Sequence, residues 1–110
     1  MFQVIDMEKY SQIIILSDSY NIDKEDILVI KDDVTLIDDV HILVNDITYS
    51  FDYLIFTNTS KIKNFKKTNI LHENGIPVTN FFYQTTYENI YYTLEELINI
   101  ALDNIIDSNL

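Results

Sequence analysis

One glycine and one proline, Gly75 and Pro77, punctuate a chain of 110 residues. Turns elsewhere must be made by Asn and Asp, the side chains that best tolerate left-handed backbone without being glycine. They recur at short intervals, at Asp32-Asp33, Asp38-Asp39 and Asn45-Asp46, and β-branched runs fill residues 27–30, 34–37, 40–44 and 47–57 between them. This spacing predicts an antiparallel meander with two-residue turns. In the last run Ile47, Tyr49, Phe51, Tyr53 and Ile55 alternate with Thr48, Ser50 and Asp52. Leu54 and Phe56 leave that alternation, so the far end of the strand is expected to be covered on both faces. Residues 12–17 read as another strand, and residues 81–83 and 88–92 as short aromatic strands.

The C-terminal segment carries helical spacing. Thr93-Leu94-Glu95-Glu96 has the pattern of a capping box, in which the Thr93 hydroxyl would accept from the Glu96 amide. Leu94, Leu97, Ile98, Ala101, Leu102 and Ile105 then fall on one helical face. A hydrophobic fraction of 47% is too high for a disordered acidic chain and sufficient for one packed core. The expected fold is an α+β single domain over residues 1–110, an antiparallel β-meander sheet packed against the C-terminal amphipathic helix.

The same scarcity of glycine bears on chemistry. Phosphate-cradling loops need several glycines, because only backbone without Cβ comes close enough to the phosphates. Arginine, the bidentate clamp for phosphate and carboxylate, is absent, and so is cysteine. His41 and His72 lie far apart, one in an expected strand and one in the turn before Gly75, and no spacing supplies them with a metal-ligating partner. The acidic groups Asp23-Lys24-Glu25-Asp26, Asp32-Asp33 and Asp38-Asp39 lack the periodicity of a calcium loop. No serine sits in a glycine-flanked nucleophile turn. We therefore assign no catalytic, metal-binding or cofactor-binding residue and expect no cofactor and no enzymatic activity. The N-terminus has no basic region followed by an apolar run, and the longest aliphatic run is far short of a bilayer span, so a cytoplasmic protein without membrane contact is expected.

Three stretches carry a likeness. Phe51-Asp52-Tyr53-Leu54-Ile55-Phe56-Thr57, then Gly75-Ile76-Pro77-Val78 and Gln84-Thr85-Thr86-Tyr87-Glu88-Asn89-Ile90-Tyr91, resemble the flavin domain of pyridine-nucleotide-disulfide oxidoreductases, the thioredoxin-reductase-like flavoproteins. The likeness spans roughly residues 27–105. It implies a meander leading to a buried strand, a turn, and a final strand opening a helix. The family's closing Gly-Asp, whose Asp contacts the flavin, falls at Leu94 and Glu95, and the dinucleotide fingerprint and redox cysteines are missing. The resemblance thus implies a cofactor-free remnant turned to binding.

Charge supplies the functional expectation. Formal net charge is −11, and residues 1–52 hold twelve acids against three lysines. Such a field repels nucleic acid and anionic membranes and attracts basic protein surfaces. The lysines at 61, 63, 66 and 67 are expected to act within the molecule, against the acidic half. The expected function is that of a small acidic binding protein that inhibits or neutralises a partner with a basic surface. The partner would be a nucleic-acid-processing enzyme or a toxin, engaged as inhibitor, immunity or anti-defence proteins engage theirs, by imitating nucleic acid. The expected partner-binding residues are Asp32, Asp33, Asp38 and Asp39, with Tyr83 and Tyr87 as aromatic anchors. The alternatives are a flavoprotein-like remnant and a structural subunit of a larger complex.

Overall fold

The computed structural model describes residues 8–63 and 69–109. Among the described residues nine strands, β1 (Glu8–Leu16), β2 (Ile27–Ile30), β3 (Val34–Leu36), β4 (His41–Val44), β5 (Ile47–Thr57), β6 (Ile62–Lys63), β7 (His72–Glu73), β8 (Ile76–Pro77) and β9 (Ile90–Thr93), precede the helix α1 (Ile98–Asn109). The fold is α+β. The main sheet runs β2-β1-β5-β4-β3-β6, with β9 also on β5, and β7-β8 form a separate hairpin.

The meander holds for β3, β4 and β5, which pair antiparallel. Asn45 and Asp46, at φ 51° and 67°, make the two-residue turn between β4 and β5. This left-handed pair matches the twist of the strands it joins. Asn74 and Gly75, at φ 55° and 79°, do the same for β7 and β8.

The first run of the expected meander lies elsewhere. β2 pairs parallel with β1, and β1 pairs parallel with β5. β9 extends this parallel layer from β5. The sheet is therefore mixed, and the antiparallel reading of β2 is corrected. Its sequence, Ile27-Leu28-Val29-Ile30, shows no polar alternation, which is the pattern of a strand packed on both faces of a parallel layer. The expected strand at residues 81–83 does not form either: those residues make a turn around Tyr83, whose φ is 69°.

Two cores flank the parallel layer. Ile13, Ile15, Ile55 and Tyr91 meet Ile98, Ala101, Leu102 and Ile105 of α1. On the other face Ile14, Leu16, Leu54, Phe56 and Ile90 meet the meander through Val34, Leu36, Ile42 and Val44. The far end of β5 is covered on both faces, with Leu54, Ile55 and Phe56 no more than 1% exposed. Its ladder to β1 omits the Gln12–Asp52 pair. There the residues that feed the meander core change phase, from Tyr49 and Phe51 to Leu54 and Phe56.

The helix begins differently from its expected cap. A 3-10 turn, Glu95–Leu97, precedes α1, and no side chain of its own segment caps it. Thr93 Oγ1 is buried with no hydrogen-bond partner among the described residues. The Asn58 side chain, from beyond β5, instead accepts from the Glu95 amide at 2.8 Å. Leu94 is exposed, while Ile98, Ala101, Leu102 and Ile105 form the buried face.

Candidate functional site

The carboxyl ends of β1, β5 and β9 converge on a cluster of hydroxyls and one carboxylate. Thr57 Oγ1 and Ser60 Oγ donate to the Leu16 carbonyl at 3.1 and 2.6 Å. The Thr59 hydroxyl accepts from the Asp18 amide at 3.1 Å. Glu95 reaches across to the loop after β1, where its Oε2 accepts from Ser17 Oγ at 2.7 Å and the Ser19 amide at 2.9 Å. The Ser19 hydroxyl donates to the same oxygen. Chain order alone places Glu95 nowhere near Ser17. The parallel register of β1, β5 and β9, which sequence periodicity does not reveal, brings them together.

The hydrogen bonds from Ser19 and then Ser17, with smaller help from Thr59, hold the Glu95 carboxyl at about 2, against an ordinary 4.5, although partial covering works the other way. A carboxylate this weakly basic is unsuited to removing protons near neutral pH. Its chemistry is that of a latch.

In open parallel sheets, nucleotides bind outside the carboxyl ends of the strands, with pyrophosphate at the loop following the first strand. Here that loop carries the side chains of Ser17, Asp18 and Ser19 and receives the Glu95 carboxylate. A pyrophosphate at this place would meet the Asp18 and Glu95 carboxylates and no glycine, so these residues do not fit a dinucleotide.

The aspartates expected to bind a partner lie on both sides of β3. Asp32 and Asp33 precede it and Asp38 and Asp39 follow it, all four exposed. They flank one short strand and do not form a single cluster. Asp33 meets Lys63 at 3.7 Å. Asp38 accepts from the Val40 amide at 2.9 Å and contacts His41 Nδ1 at 2.9 Å. Partial burial pushes the Asp38 carboxyl up, but these hydrogen bonds outweigh it and the group sits below its ordinary value. The Asp39 carbonyl accepts from Asn89 at 2.7 Å.

Tyr83 and Tyr87 are half-buried and part ways, Tyr83 packing toward the helix core and Tyr87 toward the meander core. The aromatic surface of this segment belongs to Phe81 and Phe82, 97% and 56% exposed. Asn80 braces them, its Oδ1 accepting from the Phe82 and Gln84 amides at 2.8 and 3.0 Å. The signal for this turn was the Asn preceding the aromatic run.

Lys61 and Lys63 face the acidic half as expected, at 3.8 Å from Asp18 and 3.7 Å from Asp33. Lys66 and Lys67 lie outside the described residues. His72 Nδ1 lies 2.8 Å from the Ile70 carbonyl, a local contact. Among the described residues no group of His, Asp and Glu is placed to hold a metal ion, and no helix is long and apolar enough to cross a membrane. Comparison with protein families, with characterised proteins and with solved structures finds no match to this chain.

Proposed function

We propose that this chain is a non-enzymatic binding protein that docks on the basic, nucleic-acid-binding surface of another protein and thereby inhibits or neutralises it. One observation carries the reading. Among the described residues every Asp and Glu is exposed except Glu95, and only Asp18 and Asp33 meet a lysine. The carboxylates are therefore available to a cationic partner, and the strands and turns that bear them limit the entropy lost on docking. Phe81, exposed on the turn that Asn80 braces, offers an aromatic side chain of the kind that anchors protein interfaces.

The test is a pull-down from the native host at low and high salt, with the Asp32, Asp33, Asp38 and Asp39 side chains intact or all replaced by Lys. Capture that weakens steeply with salt and with the replacement supports the proposal. Capture indifferent to both overturns it.

A second reading, descent from a flavoprotein-like domain, draws support from the parallel order β2-β1-β5-β9 followed by a helix. A flavin absorbance band retained through gel filtration would displace the first reading.

A further inference from the structure

The chain's one glycine follows an asparagine. Asn74 and Gly75 form the two-residue turn between β7 and β8, at φ 55° and 79°, and both are exposed. A β-carbon built on Gly75 would meet nothing within 4 Å, so the turn stands in open space. The pair matters chemically. An asparagine side chain and the next main-chain nitrogen can close a five-membered ring, and a β-carbon on the following residue obstructs that closure. Every other asparagine of this chain precedes a residue with a side chain, most often Ile.

The fold adds a second distinction. Asn45-Asp46 makes the same left-handed turn, at φ 51° and 67°, and is also exposed, but it joins β4 to β5 inside the main sheet, where Ile42 and Val44 are buried. Among the described residues β7 and β8 pair only with each other, through two residues apiece. Just beyond their ladder the Val78 amide donates to the Leu71 carbonyl at 2.9 Å. So short and separate a ladder opens at little cost, and the turn must open for the Gly75 nitrogen to reach the Asn74 carboxamide. The side chains of Asn58, Asn80 and Asn89 are held by hydrogen bonds, whereas among the described residues none holds that of Asn74.

We propose that Asn74-Gly75 is a self-modifying site, at which Asn74 is converted to isoaspartate through a cyclic imide. The Gly75 nitrogen loses its proton and attacks Asn74 Cγ. A C–N bond forms there, and the side-chain nitrogen takes up a proton and leaves as ammonia. Water then opens the imide. Attack at Cγ yields an ordinary aspartate. Attack at the Asn74 main-chain carbonyl breaks its bond to the Gly75 nitrogen, so the chain runs on through the side chain and a main-chain carboxylate is freed. Either product adds one negative charge to the formal −11 of the chain. The isoaspartyl product also puts one more carbon into the main chain of a turn that fixes the register of two short strands, so the β7-β8 pairing is lost. The main sheet is untouched. This site is independent of the acidic-docking reading.

The test is to age the full chain in mildly alkaline and mildly acidic buffer and to map its peptides by mass spectrometry, with fragmentation that separates isoaspartate from aspartate. Asn74 should convert about tenfold faster than Asn45, because glycine alone puts no β-carbon in the way. Conversion should be faster in the alkaline buffer, where the attacking nitrogen loses its proton more readily. Hydrogen exchange at the Val78 amide should quicken in the converted chain, while the buried Ile55 amide stays as slow as before. Isoaspartate that forms at Asn74 no faster than at Asn45 overturns the proposal. So does conversion that runs more than about tenfold faster in urea than in the native chain, since the hairpin would then be shut against ring closure. Conversion that leaves Val78 exchange unaltered overturns the loss of the hairpin.

Discussion

Glu95 Oε2 accepts a hydrogen bond from Ser17 Oγ at 2.7 Å, tying the entry to the C-terminal helix to the exit of β1 across 78 positions of chain. Three donors converge on that one oxygen, and together they make the carboxylate a fastener between the two segments, beside the Asn58 cap on the Glu95 amide.

The fastener is pH-dependent. With its carboxyl held at about 2 in the folded chain against an ordinary 4.5, Glu95 favours folding at every pH above 4.5 and loses that contribution as pH falls toward 2. Glu95→Gln should lower stability at neutral pH by about 1 kcal/mol, a figure reduced by solvent screening. Thermal melts across this acid range should fall more steeply for the wild type than for the variant. Parallel curves would rule the latch out.

Asn58→Ala removes the acceptor for the Glu95 amide. The expected cost is about 1 kcal/mol, as for other N-terminal caps, measured by urea denaturation. Thr93→Val should be neutral or stabilising, because the buried Thr93 hydroxyl has no partner among the described residues. A larger loss for Thr93→Val than for Asn58→Ala would restore the capping-box reading.

Ile98 is 1% exposed, between the helix and the parallel layer. Ile98→Asp buries an unpaired carboxylate there and should abolish cooperative unfolding, while Ile98→Val should cost only about 0.5–1.5 kcal/mol. The pair of variants, followed by circular dichroism, separates loss of packing from general intolerance at this position.

The helix was legible because its apolar spacing is local: Ile98, Ala101, Leu102 and Ile105 need no knowledge of the rest of the chain. The hairpin at Asn45-Asp46 was legible for the same reason. β2 was not, since Ile27-Leu28-Val29-Ile30 is equally compatible with a meander or a parallel layer, and its partner is chosen by β1, many residues away. The cap failed for a related reason. Thr93 and Glu96 have the right spacing, but Asn58 and Ser17 compete for the same backbone and for Glu95 from across the sheet. Tyr83 and Tyr87 share one aromatic run with Phe81 and Phe82, and only the left-handed turn at Tyr83 shows which rings leave the protein.

Self-repulsion should be measurable. With a formal net charge of −11 and lysine contacts only at Asp18 and Asp33 among the described residues, added sodium chloride should raise the melting temperature by screening the carboxylates. A melting temperature that falls with salt would mean that attractive pairs dominate the fold.

β5 lends one of its edges to two neighbours in turn, β4 as far as Ser50 and β9 from Leu54 onward. Neither the meander nor the terminal strand and helix has a complete framework once that shared rail is withdrawn. Cutting the chain near Asp52 should therefore leave two fragments that remain unstructured apart and regain order only when mixed.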